Sequence, residues 1–309
     1  MPFARLEPNS FAFYAAQSAF SGPGDLGRLY GGLPRDPGRL ARAARDLTVH
    51  RLEGEIFCHA VTPERLHNDA ETRYLDDILR LVIERDDAPL TQRREIGDRF
   101  VGVCRDFALL HCSFLRHAGT PARLRSGFAD YFGSDGFHCD HMVTEYWDDA
   151  RGWLLADPQL ADPVVADRWA VDFDPMDVPR DRFLVAGKAW RAIRAGDADA
   201  STFGLHLPEE GPMFGEWFVA HDMRIDLAAL NKVETLLWDT WGVGSGGSGG
   251  NRGMTDTVCE QYDRASLVLG DDVPFDAVRK LFAEEQELRT PRTVLSLAPF
   301  IGPREVTLR

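Results

Sequence analysis

Lysine is nearly missing from this sequence: of 35 basic residues only Lys188, Lys232 and Lys280 are lysines. With abundant Ala, Gly and Asp, that bias reads as the codon signature of a GC-rich bacterial genome and says nothing of chemistry. Basic residues as a whole are outnumbered by 49 acidic ones, leaving a net charge of −14. Nucleic acid is therefore excluded as a partner, because its binding needs a basic footprint that releases counterions. An anionic membrane surface is disfavoured on the same ground. No apolar run reaches the roughly 18 residues that a membrane span needs. Cysteine is sparse, with five residues (Cys58, Cys104, Cys112, Cys139 and Cys259) and no C-x-x-C. An odd, scattered set does not make a disulfide framework, so a reducing cytoplasm is the expected location. The opening residues Met1–Pro8 lack the basic start and apolar core of a secretory signal. Internal repeats are absent.

What is present is an ordinary soluble composition over 309 residues, 44% of them apolar. That length fits one large domain or two small ones and buries a core without staples. Residues 1–37, rich in Gly, Pro and aromatics, read as an irregular arm. Helical spacing marks 38–48 and 71–86, where Tyr74, Ile78, Leu81 and Val82 form one face. Residues 103–118 give the clearest helix, with an exit signal at Gly119 and Pro121. Strands follow at Leu124 to Phe132, His141 to Trp147 and Gly152 to Asp157. The last two form a hairpin whose loop, 148–151, sets Trp147 opposite Gly152. From Pro175 helices return, at 181–195, 222–240 and 274–288. The run 242–252 is a flexible Gly/Ser loop of natural or engineered origin. Its G-x-S-x-G match at Ser248 lacks the strand–turn–helix context such a motif needs.

The chemistry concentrates between Val101 and Leu160. Cys104 opens the helix Cys104-Arg105-Asp106-Phe107-Ala108, where the positive end of the helix favours a thiolate. The same N–H groups can hold an oxyanion. His141 begins a strand on which Val143, Glu145 and Trp147 share its face. In the expected register Asp157 falls opposite Met142, and a one-residue shift brings it opposite His141, within reach of the imidazole. A thiol, a base and a carboxylate so related form the logic of thiol acyl transfer.

At these residues the sequence resembles the transglutaminase-like superfamily of papain-type Cys-His-Asp thiol enzymes. The resemblance lies in Gly102-Val103-Cys104-Arg105-Asp106-Phe107-Ala108, the string Leu115 to Arg123, His141 with Glu145, and Asp157-Pro158. Flanking segments at Phe173 to Trp190 and Phe218 to Trp241 look like those of cytosolic actinobacterial members. The resemblance implies that Cys104 is the nucleophile, His141 the base and Asp157 its orienter. The implied fold is α+β, a papain/transglutaminase-like core with the nucleophile helix on a central antiparallel sheet. A mainly helical C-terminal extension follows. The expected division is an arm over 1–70, a catalytic core over 71–172 and the extension over 173–309, with the loop 242–252 inside it.

Other residues take lesser expectations. Glu145 binds substrate or pairs with an arginine such as Arg105 or Arg125. Asp140 competes with Asp157 as orienter, though its neighbour in sequence should face the other way. His138, Asp140, Trp217 and His221 are candidate substrate contacts. The oxyanion donors are the Cys104 amide and either Gln92 or Gln17. A zinc site at His138-Cys139-Asp140-His141 is disfavoured because adjacent strand positions alternate faces. No metal and no cofactor is expected. The expected partner is a small-molecule, peptide or carrier-bound acyl substrate, attacked by thiol and released to an amine or to water. Amide-bond formation in bacterial small-molecule or peptide metabolism is one outcome and a cysteine peptidase or amidase the alternative. A non-catalytic binding protein on the same fold is the third reading. Oligomeric state is not legible.

Overall fold

A computed structural model describes residues 5–133, 135–207, 211–243 and 253–309. The architecture is α+β with a central six-stranded sheet. Segments Met1–Leu124 and Val143–Val178 form one compact unit, and Arg125–Met142 with Pro179–Arg309 form another. These units do not follow the linear division over 1–70, 71–172 and 173–309. The loop expected over 242–252, with its Ser248 motif, lies outside the described residues from position 244 onward. No helix among the described residues is long and apolar enough to cross a membrane.

The first unit holds α1 (Pro8–Ala15), α2 (Pro37–Leu47), α3 (Pro63–Asn68), α4 (Leu75–Arg85), α5 (Cys104–His117) and α6 (Pro163–Arg168). Strands β1 (Thr48–His50) and β2 (Phe100–Gly102) pair in parallel. Helix α5 is central, with every residue but the last buried. A helix enclosed all round must find partners for its polar side chains. Ser113 Oγ donates to the Ser21 carbonyl at 2.7 Å, Arg116 Nη1 to Ser21 Oγ at 2.8 Å, and His111 Nε2 to the Pro37 carbonyl at 3.1 Å. The same bonds hold residues 5–37 against α5. This stretch contains α1 and a 3₁₀ helix at Gly24–Gly32. After α5 the chain turns at Gly119, whose φ of +88° is the left-handed conformation that glycine adopts without strain.

Strands β3 (Ala122–Ala129) and β4 (His138–Asp148) contribute residues to both units, and β5 (Gly152–Ala156) belongs to the first. Here β4 and β5 run antiparallel, from Thr144 opposite Ala156 to Asp148 opposite Gly152.

The second unit contains β6 (Phe183–Val185), α7 (Ala186–Ala195), β7 (Phe203–Leu207), β8 (Gly211–Phe214), α8 (Glu216–Leu230), β9 (Asp239–Thr240), α9 (Asp256–Ser266), α10 (Phe275–Glu284), β10 (Thr293–Ser296) and β11 (Arg304–Thr307). The central sheet has the order β6-β3-β4-β7-β8, with β5 on β4. It is mixed, not antiparallel throughout, because β7 joins β4 in parallel after the long crossover through β5, β6 and α7. The extension is less helical than expected: β6, the β7–β8 hairpin and a separate sheet of β9, β10 and β11 are all built from short strands. Helix α8 starts six residues before the expected 222 and ends at 230, since Gly215, at φ +109°, forms its entry. Trp190, Phe203, Phe218, Met223, Leu227 and Tyr262 form the core between α7, α8, α9 and the sheet.

Burial of His111 makes a testable statement about acid stability. Loss of solvent pushes its imidazole down to about 4, from the usual 6.5. The unfolded chain therefore binds a proton below pH 6.5 that the folded chain refuses until about pH 4. Stability falls as pH drops through that window. At pH 4.5 the loss attributable to His111 is about 2.5 kcal/mol at most. Denaturant unfolding at pH 4.5 and 7 should show a smaller difference in His111→Gln than in wild type. An identical difference would mean that His111 is not held neutral.

Candidate active site

The segment that carries Cys104 is shaped by a carboxylate two residues on. Asp106 accepts the Val103 N–H at 2.9 Å, while its own N–H donates to the Val103 carbonyl at 2.9 Å. An acidic side chain in the first turn both caps the backbone and complements the helix dipole. Arg105 Nη1 donates to the other Asp106 oxygen at 2.9 Å, and both side chains are fully buried. Burial pushes the Asp106 carboxyl up, against the pull of Arg105. Gly102 is required by this arrangement: a Cβ there would lie 2.7 Å from Asp106 Oδ2 and 3.0 Å from the Phe100 ring. Cys104, the first residue of α5, is 5% exposed. One turn later, Thr144 Oγ1 on β4 donates to the Ala108 carbonyl at 3.1 Å, tying α5 to the sheet.

Asp157 lies one residue beyond β5 and is 1% exposed. Its N–H donates to the Pro175 carbonyl at 2.7 Å, and its Oδ1 accepts the Gln159 N–H at 3.0 Å. Gln159 Nε2 then donates to Glu53 Oε1 at 3.0 Å. The other Glu53 oxygen takes the His50 N–H at 3.0 Å and Arg45 Nη1 at 2.9 Å. The Arg45 guanidinium lies over the rings of Phe57 and Phe107, 5.1 and 5.2 Å from their centroids. Phe107 is on α5, so a continuous run of bonds and packing joins Asp157 to the helix of Cys104.

The hairpin register differs from expectation. Asp148 pairs with Gly152 and Trp147 with Trp153, leaving a three-residue turn. Asp148 Oδ1 accepts the N–H groups of Ala150 and Arg151, each at 2.9 Å, and Gly152 takes φ +85° to restart the strand. Continued by one residue, this register sets Asp157 opposite Val143, a one-residue displacement away from His141 instead of toward it.

In the second unit the ring of His141 sits among aromatics, 4.9 Å from Phe132, 6.0 Å from Tyr131 and 6.2 Å from Phe183. His138 stacks on Phe203 at 4.5 Å, which in turn meets Phe128 edge-on at 5.3 Å. His138 and Asp140 thus face α8, and Cys139 and His141 face away, so the four-residue cluster cannot close on one ion. Burial and the charge of Asp140 push the Cys139 thiol up to about 11.

Several expectations meet other facts. Glu145 is fully buried and does pair with an arginine, Arg123, at 2.6 Å. The Arg123 guanidinium lies 3.9 Å from the Trp153 centroid and 5.0 Å from that of Tyr14, so the pair is packed among aromatic rings. Arg125 is committed to Asp226. Gln17 donates to the Ser113 carbonyl at 2.8 Å and accepts Ser21 Oγ at 2.7 Å, so one amide N–H and the carbonyl oxygen are engaged. Gln92 is exposed in the turn that follows Pro89. His221 Nε2 donates to the Leu237 carbonyl at 2.8 Å, and burial with nearby Arg224 pushes its imidazole down to about 4. Trp217 is half-buried, edge-on to Phe218 at 5.4 Å. The Asp106 cap, Thr144 and the Gln159–Glu53–Arg45 chain carry positioning roles the sequence reading did not single out. Of these, only Asp106 left a sequence signal, as an acid in the first turn of a helix opened by cysteine.

Comparison with known proteins adds three findings. Residues 74–158 match the family model of the transglutaminase-like superfamily. No curated protein matches the chain. Two solved structures are similar in chain course. One, from Cytophaga hutchinsonii and provisionally named a cysteine protease, has 16% identity and a TM-score of 0.33 over 53% of this chain and 47% of that one. The other, red sea bream transglutaminase, has 17% identity and a TM-score of 0.33 over 52% of this chain and 33% of that one. This chain thus spans less than half the length of either, and likenesses so loose say nothing of chemistry. Residues 74–158, with Cys104 at the head of the buried helix α5, are a transglutaminase-like segment.

Proposed function

We propose that this protein is a thiol-dependent acyl-transfer enzyme in which Cys104 is the nucleophile, His141 the general base and Asp157 its orienter. The observation that carries the reading is the position of Cys104. It is the first residue of a fully enclosed helix, inside the one segment that matches the transglutaminase-like superfamily. His141 and Asp157 lie within the same matched segment.

The chemistry follows from residue types. Cys104 Sγ attacks the carbonyl carbon of an amide, peptide or thioester while His141 holds the thiol proton. The tetrahedral oxyanion is met by the Cys104 amide at the positive end of α5. His141 passes its proton to the leaving amine or thiol, and a thioester to Cys104 remains. An amine then gives a new amide, or water gives hydrolysis. The carboxylate of Asp157 steadies the imidazolium that forms. Small-molecule, peptide and carrier-bound acyl substrates all suit this sequence of steps. Amide formation in small-molecule or peptide metabolism is the outcome we favour, with peptidase or amidase action the alternative when water resolves the intermediate.

Labelling by iodoacetamide at pH 6, mapped by mass spectrometry, tests the nucleophile. Cys104 should react faster than Cys112, which is wholly buried in the next turns of the same helix; equal rates would remove the activated thiol. Turnover of glutamine peptides, γ-glutamyl amides and carrier-bound thioesters should vanish in Cys104→Ala.

Asp157→Asn keeps the shape but not the charge. A Cys–His ion pair at a helix tip is partly held by the dipole, so turnover should fall by about ten- to a thousand-fold, or 1.4–4 kcal/mol of barrier. Asp140→Asn made in parallel separates the two carboxylates. Loss of turnover in Asp140→Asn with an active Asp157→Asn would transfer the orienting role to Asp140.

A further inference from the structure

Three aromatic rings stand near-perpendicular to the imidazole of His141: Phe132, Tyr131 and Phe183, at interplanar angles of 71°, 86° and 75°. An imidazole so flanked cannot turn about its Cβ–Cγ bond without driving an edge into a neighbour. The three rings are not equivalent. Phe183, on β6, is fully buried and Tyr131 is 5% exposed, so both serve the core. Phe132 is half-buried and lies in the turn between β3 and β4, yet its centroid is the nearest of the three to His141.

The turn fixes where Phe132 sits. Just before it, Asp130 accepts Arg182 Nε on both carboxylate oxygens at 2.9 Å, and the Asp130 N–H donates to the Arg182 carbonyl at 3.1 Å. Arg182 immediately precedes Phe183, which pairs with Ala129 across β3 and β6. Just after it, Gly133 donates its N–H to the Asp130 carbonyl at 3.2 Å. Gly133 also passes so close to Phe137 that a Cβ would lie 1.7 Å from the Phe137 carbonyl oxygen. The ring of Phe132 itself packs on Tyr131, 4.8 Å between centroids. The backbone that carries Phe132 is therefore closed by bonds on either side, independently of how deeply the ring is buried. A phenyl ring partly in water contributes less to stability than one in the core. What the turn preserves is the contact with His141.

We infer that Phe132 is a positioning residue for His141: its ring fixes the plane of the imidazole, so that the proton-carrying nitrogen keeps one direction. General base action depends on that direction, and an error of about 1 Å costs on the order of a hundred-fold in rate. This role rests on the proposed thiol chemistry, whereas the fixing of the ring does not.

NMR relaxation of labelled imidazole carbons reads the ring directly, with the His141 signal identified by its loss in His141→Gln. Phe132→Ala should raise the mobility of the His141 ring, and Phe132→Tyr, which keeps an aromatic ring, should not. Unchanged relaxation in Phe132→Ala overturns the inference, whatever Cys104 does. Hydrolysis of p-nitrophenyl acetate reads the consequence. Cys104 Sγ bonds the acetyl carbon as nitrophenolate leaves, which gives the burst. Water then displaces the sulfur while His141 takes a proton from the water and passes it to the thiolate, which sets the steady rate and releases acetic acid. Phe132→Ala should slow the steady phase by about ten- to a hundred-fold, with Phe132→Tyr within about three-fold of wild type. An acetyl group needs no aromatic wall, so a Phe132 that only touches larger substrates would leave the steady phase unchanged, and that result contradicts the assignment. Should Phe132→Ala fail to fold, Phe132→Leu carries the same two readouts, with both changes expected in the same direction. A burst that persists in Cys104→Ala would sink the thiol chemistry and leave the relaxation to decide whether Phe132 fixes the ring.

Discussion

The carboxylate of Asp106, closed on the Val103 N–H at 2.9 Å, fixes the residue at which α5 begins, and much of the first unit is arranged around that point. A helix end inside a protein exposes N–H groups that must be satisfied. Here one is satisfied by a side chain of the helix itself. The cost is a buried charge, which Arg105 offsets at 2.9 Å. Glycine at 102 is the remaining condition, since any side chain would meet Asp106. The thiol of Cys104 is thereby held on a backbone that has little freedom to move, and a nucleophile needs such fixity.

Buried arginines serve the rest of the chain in the same manner. Arg45 runs between two phenylalanine rings to reach Glu53, Arg123 lies on Trp153 to reach Glu145, and Arg125 forks onto Asp226. The planar, always charged guanidinium suits these places, because it stacks on an aromatic face while its edge is bonded. The scarcity of lysine is a codon effect in origin, but it leaves the protein with a cation suited to burial. Each pair also joins two separate elements: β3 to β4, β3 to α8, and α2 to the turn after β1.

The strongly periodic parts of the fold were legible in the sequence. Helices α2, α4 and α5 lie within a few residues of their expected bounds, and the strands around His141 and Trp153 form the expected hairpin. Short strands were not. Segments such as Thr293–Ser296 and Asp239–Thr240 have too few residues for alternation to register and are strands only because a partner pairs with them. The hairpin register also depended on a detail beneath the pattern, the use of Asp148 to close a three-residue turn. At the site, the residue types of Cys104, His141 and Asp157 and their order stood out from the sequence. The pairing of Glu145 with Arg123 and the engagement of Gln17 by Ser113 and Ser21 did not, because they depend on contacts between residues 22 and 96 positions apart.

The central claim is that an acyl group passes through the sulfur of Cys104. Incubation with an activated acyl thioester, followed by intact-mass measurement and peptide mapping, tests it most directly. One acyl group should appear on the peptide that contains Cys104, and hydroxylamine should release it, as it does a thioester. Acylation at another cysteine, at lysine or at serine, with Cys104 unmodified, would contradict the account.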